Sequence, residues 1–203
     1  MLASQSPARL KLLNAAGIDA EVMVSGVDES AVNATRADTL ALVLARMKAE
    51  AVANWLRNSE RARDHLLIIG CDSVLELDGE IYGKPADADD AIKRWELMRG
   101  REGVLHTGHC LIDLRTDTHS EAAASTRVEF AELSDAEIAA YVASGEPLNV
   151  AGAFTIDGLG SPFVAEITGD HTNVMGLSMP LLRHLLAAQG VAITDLWRIG
   201  TRA

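Results

Sequence analysis

The stretch that most restricts the possible folds is "HLLIIGCDSVLEL", residues 65–77. It is too apolar for a strand with one face in water, so it reads as a strand lying centrally in a sheet. Asp78-Gly79 follows at once, and Asp-Gly between strand residues is a strong two-residue hairpin signal. A loop at 78–79 pairs Leu77 with Glu80 and Leu75 with Tyr82. The same ladder, continued, pairs Ser73 with Lys84 and folds that lysine back beside "CDS", residues 71–73. Gly83 then lets the backbone leave the ladder, and Pro85 ends the pairing. Opposed side chains share a face, so Lys84 is expected nearer Ser73 than Asp72, and the strand ends must splay for all three to meet one ligand.

The rest of the chain supplies elements to cover such a strand. Ser6-Pro7 reads as an N-cap with proline at the first helical position. The helix "SPARLKLLNAAG" ends with Gly17 as its C′ residue. "DAEVMVS" alternates like a strand. From Asp38, "DTLALVLARMKAEAVANWLRN" carries Leu40, Leu44, Met47, Ala51 and Trp55 at helical spacing. "DADDAIKRWELMRG" is a helix with acidic residues at its start and Gly100 at its end. Residues 104–133 read as two long strands around a polar turn near Asp117. Ser134 caps "SDAEIAAYVASG", with Glu137 completing a capping box. A glycine-rich stretch follows, and "MPLLRHLLAAQG" is the last clear helix. The expectation is one α/β or α+β domain, residues 1–203, without repeats or linkers.

The net charge of −11 argues against polymeric nucleic acid and anionic membranes as partners, since both are polyanions. An anionic ligand would need local cations, and only four lysines are available. Cys71 and Cys110 lie in apolar runs and are expected reduced and buried. No cationic leader and no run of ~20 apolar residues occurs, so a cytoplasmic location is expected.

Asp72 is the residue hardest to explain by folding alone. A carboxylate after "LLIIG" sits where a central strand is expected to leave the core, and such ends are common ligand sites. It reads either as a solvated strand end or as a group that binds metal or activates water. A haloacid-dehalogenase-type phosphatase needs a second Asp two residues on, and Val74 stands there. "GEIYGKP" is no phosphate-binding loop, because one spacing residue is missing and Pro85 replaces the required Ser or Thr. His106 and His109, three apart on a strand, point to opposite faces and make a poor metal pair. "DADD" is a helix start rather than a calcium loop, and "GLG" lacks the dinucleotide fingerprint. Alone, Ser6 is a helix cap, Lys48 a solvated helix charge and Glu29 a loop carboxylate.

Six motifs in order change that reading: "LASQSPAR", "VDES", "ARMKAEAVA", "IIGCDSVLELDGEIYGKP", "GAFTIDGLGSPFVAEITGD" and "NVMGLSMPLL". Together they resemble the Maf family of septum-formation-inhibitor-like nucleotide pyrophosphatases. The resemblance implies an elongated two-lobed α/β fold with a central mixed sheet and a cleft, similar to inosine-triphosphate pyrophosphatases and often dimeric. It implies Mg²⁺-dependent hydrolysis of a nucleoside triphosphate to the monophosphate and pyrophosphate, clearing noncanonical or modified nucleotides. A nucleotide-binding regulator of cell division with weak hydrolysis is the alternative, and a monophosphate phosphatase a third.

On this resemblance Asp72 is the proton acceptor, Glu29 and Asp72 are candidate magnesium ligands, and Lys84 and Lys48 supply point charges. Arg9 grips a phosphate with its planar fork, and Ser4 and Ser6 form an anion site at the first helix. Ser73, Asp157 and Asn173 complete the substrate-binding set, Asn173 as a residue of the cleft floor or a helix cap. Ala8, Ser73 and Asp157 depart from the residues the family usually carries, which leaves base preference open.

Overall fold

In the computed structural model of the chain, residues 1–29, 32, 34–59 and 66–198 are described. One sheet runs through them in the order β2-β1-β3-β4-β5. Its strands are β1 (Leu67–Leu77), β2 (Glu80–Tyr82), β3 (Glu102–Asp113), β4 (Thr118–Phe130) and β5 (Val164–Thr168). The helices are α1 (Pro7–Ala15), α2 (Ala37–Arg57), α3 (Ala88–Met98), α4 (Asp135–Ala143), α5 (His171–Val174) and α6 (Met179–Ala188). The expected α/β class is the one adopted. Every ladder between these strands is antiparallel, and among the described residues parallel pairing is confined to Leu2, which bridges Val22 and Ile69.

Local signals set most boundaries. Ser6 caps α1 and Asp87 caps α3, each through its side chain, and Ser134 with Glu137 forms the full capping box of α4. The hairpin pairs Leu77 with Glu80 and Leu75 with Tyr82, as its sequence predicts. Asp78 and Gly79 both have positive φ, 53° and 82°, the signature of a type I′ turn.

Four expectations need correction. β1 is an interior strand, but β3 holds the centre, and Asp72 lies in mid-strand opposite Gly108 rather than at a strand end. "DAEVMVS" forms only an isolated bridge: Leu2 pairs with it through Glu21 and Met23, and the segment carrying Leu2 then turns into α1. The hairpin ladder stops at Leu75–Tyr82, so Ser73 has no pairing with Lys84. The Gly83 carbonyl is taken instead by the Gly152 N–H at 3.1 Å and by Arg94 Nη1 at 2.7 Å.

The fourth correction concerns the buried face of α2. Trp55 is 49% exposed, whereas Ala41, Ala45, Ala49, Val52 and Leu56 are buried. The small residues win because α2 lies directly on sheet backbone. A methyl on Gly70 would come under 3.0 Å from the Ala45 carbonyl, and one on Gly108 equally close to that of Ala41. Glycine in the strands and alanine on the helix thus permit an approach that leucine would prevent.

Three larger apolar clusters fix this frame. Trp95 is fully buried amid Phe130, Tyr141 and Phe163 in edge-on contacts, joining α3 and α4 to the β1–β4 end of the sheet. α1 and α6 pack on Ile69, Cys71 and Leu111. α2 packs on Ile68, Cys110 and Ile112. Directly paired residues share a face, so the odd-numbered β1 residues face α1 and α6 at one end and α3 and α4 at the other, and even-numbered ones face α2. Cys71 and Cys110 therefore lie on opposite faces, both buried and unbonded. Burial pushes their thiols up to about 11 and about 12.

Candidate active site

The site forms at a gap in the sheet edge. At one end of β1, Ile69 exchanges backbone hydrogen bonds with Met1 and Ala3. At the other, Leu75–Leu77 pair with β2. Between them, no strand among the described residues covers Cys71–Val74. A cavity of about 950 Å³ opens there, lined by Ser4–Arg9, Glu29, Lys48, Asp72–Val74, Lys84 and Asp157 among others.

Asp72 projects toward α2, and the close seating of that helix brings Lys48 over it. Lys48 Nζ lies 2.5 Å from Asp72 Oδ1 and 2.6 Å from Glu29 Oε1. Asp72 and Lys48 are 8% and 9% exposed, so the pair is nearly dry while Glu29 closes it from the solvent side. Burial dominates the Asp72 carboxyl and raises it above the ordinary carboxylate range, although the Lys48 and Arg9 charges pull the other way. This is a carboxylate with enhanced affinity for a proton.

The opposite side of the strand is organised by Arg9. Its Nε donates to the Gly176 carbonyl at 2.6 Å, and Nη1 donates to Ser4 Oγ at 3.0 Å and to the Cys71 carbonyl at 2.9 Å. Nη2 donates to Ser73 Oγ at 3.1 Å. Four of the five guanidinium N–H groups are thus committed to the protein. The fork expected to grip a phosphate is turned inward, and one N–H remains. Arg9 closes the gap between α1, β1 and the segment after α5, and lends the cavity wall its charge.

Ser73 is similarly engaged. Its hydroxyl accepts from Arg9 and lies 2.9 Å from Thr107 Oγ1, which donates to the Asn173 carbonyl at 3.0 Å. Asn173 is completely buried behind this chain, its amide donating to the Leu105 carbonyl and to Thr126 Oγ1. It does not line the cavity, so the expected substrate contact is replaced by a strut behind the wall. His109 is buried too. It accepts from the Ser178 N–H at Nε2, so Nδ1 donates to the Thr107 carbonyl. Burial foremost, then the Arg9 charge, lowers it to about 4, which keeps it neutral. His106 meets other partners, Glu76 and Ser125.

Lys84 reaches the cavity from the splayed hairpin end, exposed and without an ion-pair partner among the described residues. Its backbone is clamped: Arg94 donates to the carbonyls of Gly83 and Lys84, stacks over Tyr82 and pairs with Asp90. Ser6 caps α1 at the cavity wall, and Ser4 accepts from the Ser6 N–H. Asp157 stands at the mouth, 3.4 Å from Lys11 Nζ of α1. Sequence reasoning missed Gly70, Gly108, Thr107 and Arg94. A lone glycine inside a strand pattern is a signal of close backbone approach and would have flagged the first two; the roles of Thr107 and Arg94 arise only by contact.

Glu29 and Asp72 present two hard oxygen donors that converge on one ammonium. Lys48 occupies the point where these two carboxylates meet, and among the described residues no group of three or more His, Cys, Asp or Glu is placed to hold a metal ion.

The chain matches the family model described as Maf-like protein over residues 1–189. It is 63% identical over 201 residues to a protein of Salinispora tropica, covering 99% of this chain and 88% of that protein. It is 59% identical over 197 residues to one of Streptomyces coelicolor (97% and 93% covered). It is 50% identical over 198 residues to one of Nostoc punctiforme (98% and 97%). All three relatives bear the name nucleoside triphosphate pyrophosphatase. With likeness of this depth along nearly its whole length, the chain belongs to the Maf family.

Proposed function

We propose that this protein is a nucleoside triphosphate pyrophosphatase that hydrolyses the α–β phosphoanhydride and releases a nucleoside monophosphate and pyrophosphate. The observation that carries this reading is the buried Asp72–Lys48 pair, joined by Glu29 from the solvent side with contacts of 2.5 and 2.6 Å, in a cavity that also receives Lys84. The relatives' shared name supports the substrate class.

In this reading Asp72 accepts a proton from water as its oxygen attacks the α-phosphorus. The bond to the bridging oxygen breaks, and the electron pair leaves with pyrophosphate. The raised proton affinity of Asp72 suits it to that task better than an ordinary carboxylate. Lys48 holds Asp72 in place, and Lys84 offers its free ammonium to the phosphates. A divalent cation held by Glu29 and Asp72 would have to displace the Lys48 ammonium from their oxygens; bound there, it would neutralise phosphate charge. Ser4 and Ser6 at the start of α1, with the remaining Arg9 N–H, form the anion-binding wall. In this reading Leu40, Leu44 and Ile81, which line the cavity, offer the base an apolar surface, with Ala8, Ser73 and Asp157 bearing on preference. Clearance of modified nucleotides, a cytoplasmic location and a homodimeric state complete the proposal.

The test is product analysis on ribo-, deoxy- and modified nucleoside triphosphates with Mg²⁺, beside Asp72→Asn. Monophosphate and pyrophosphate in equal amounts, lost in the variant, are expected. Inorganic phosphate as the first product, or no turnover with any divalent metal, overturns the reading.

A further inference from the structure

The glycine-rich loop is wound around one carboxylate that lies outside the cavity. Glu146 begins the short 3₁₀ turn Glu146–Asn149, directly after Gly145, where φ is 77°. Its Oε1 accepts from the Gly160 N–H at 2.9 Å, from Tyr141 OH at 3.2 Å and from the Thr155 hydroxyl. Its Oε2 accepts from the Leu159 N–H at 2.9 Å. The loop from Thr155 to Gly160 therefore closes on both carboxylate oxygens, with donors at its beginning and its end. Its glycines allow this. A methyl on Gly158 would come under 3.0 Å from the Glu146 carboxylate, and one on Gly160 equally close to Tyr141 OH. Burial alone would raise the Glu146 carboxyl, but the four hydrogen bonds outweigh it and hold the group below its usual range, as a charge.

The part of the loop that projects away from Glu146 is Ile156 and Asp157, and both line the cavity. A loop anchored at residues 155, 159 and 160 holds the three residues between, Ile156, Asp157 and Gly158, in place.

We propose that Glu146 is a positioning residue for the substrate: it fixes the 155–160 loop so that Ile156 and Asp157 form a preorganised wall against the nucleoside. This rests on the pyrophosphatase reading for the identity of the ligand. It assigns Glu146 no contact with the reacting atoms. Glu146→Gln preserves shape, but one end of the amide becomes a donor facing either the Leu159 N–H or the Thr155 and Gly160 donors. At least one loop anchor is lost. The chemistry at Asp72 is not altered, so the effect falls on binding.

The experiment uses the full chain with the triphosphate that the product panel ranks best and with its non-hydrolysable α,β-methylene analogue. Glu146→Gln is expected to raise KM and the analogue's Kd about tenfold, with kcat changed less than about threefold. It also narrows the spread of kcat/KM across bases, and hydrogen exchange at the Leu159 and Gly160 amides speeds up. Tyr141→Phe, which keeps the carboxylate but removes one of its donors and the acceptor of the Thr155 N–H, is expected to raise KM about twofold. Unchanged KM and Kd in soluble Glu146→Gln overturns the proposal, as does a fall in kcat at unchanged KM. If Glu146→Gln does not fold, unchanged KM in Tyr141→Phe overturns it. A wild-type chain that binds the analogue but turns over no triphosphate removes the pyrophosphatase reading, and the Kd ratio then decides the role of Glu146 by itself.

Discussion

Asp72 and Arg9, of opposite charge, meet opposite demands at the wall of one cavity. Ionised Asp72 is disfavoured by its burial, so at neutral pH the folded protein bears a cost that the unfolded chain does not. The sign is that of a carboxyl with a raised folded value: stability is relatively greater below that value and lost above it. Asp72→Asn removes the ionisation. In thermal melts at pH 7 with chelator present, its Tm is expected to be no lower than that of the parent, while kcat/KM falls by about 10²–10⁴. A clearly lower Tm would show that the Lys48 contact outweighs desolvation. Arg9→Lys tests the neighbouring hub. An ammonium cannot reach Gly176, Cys71, Ser4 and Ser73 together, so a loss of about 2–4 kcal/mol in urea unfolding is expected.

At the scale of elements, the seating of α2 on β1 and β3 makes the site. Lys48 meets Asp72 only because Ala41, Ala45 and Ala49 rest on the backbone at Gly108 and Gly70. Gly108→Ala forces the helix outward. A cost of about 2–3 kcal/mol by chemical denaturation is expected, together with at least a tenfold fall in kcat as Lys48 withdraws. Unchanged kcat with lowered stability would separate the seating from the chemistry. The hairpin shows the reverse case. Its turn and its three pairs follow from Asp78-Gly79, but the ladder ends where Gly152 and Arg94 take the Gly83 carbonyl. That competition frees Lys84 for the cavity.

For the whole molecule, His109 ties the centre of the sheet to the start of α6 and holds β3 against the segment carrying Asn173 and Gly176. Its value falls from 6.5 to about 4 on folding. Below about pH 6.5 the unfolded chain takes a proton that the folded chain refuses, so stability is lost as pH falls from about 6.5 to about 4. The loss from this group is about 3 kcal/mol and levels off below pH 4. Urea midpoints measured from pH 7 to pH 4 are expected to fall, and to fall less in His109→Gln. Parallel curves for the two proteins would assign the acid sensitivity to other groups.

What the sequence by itself determined is local or periodic. The caps at Ser6 and Ser134, the acidic start of α3, the Asp78-Gly79 turn and the apolar run of β1 all depend on neighbours within a few residues. The motif residues Asp72, Lys48, Glu29 and Lys84 were also legible, through the family resemblance. Only the tertiary structure decided which face of α2 is buried, because the large side chains gave the stronger pattern while glycine in a distant strand favoured the small ones. Only contact turned the Arg9 fork inward and hid Asn173 behind the wall, since their partners stand up to 167 residues away in the chain. Hydrogen-bond competition among such distant groups leaves no periodic mark in a sequence, because it is settled by three-dimensional proximity alone.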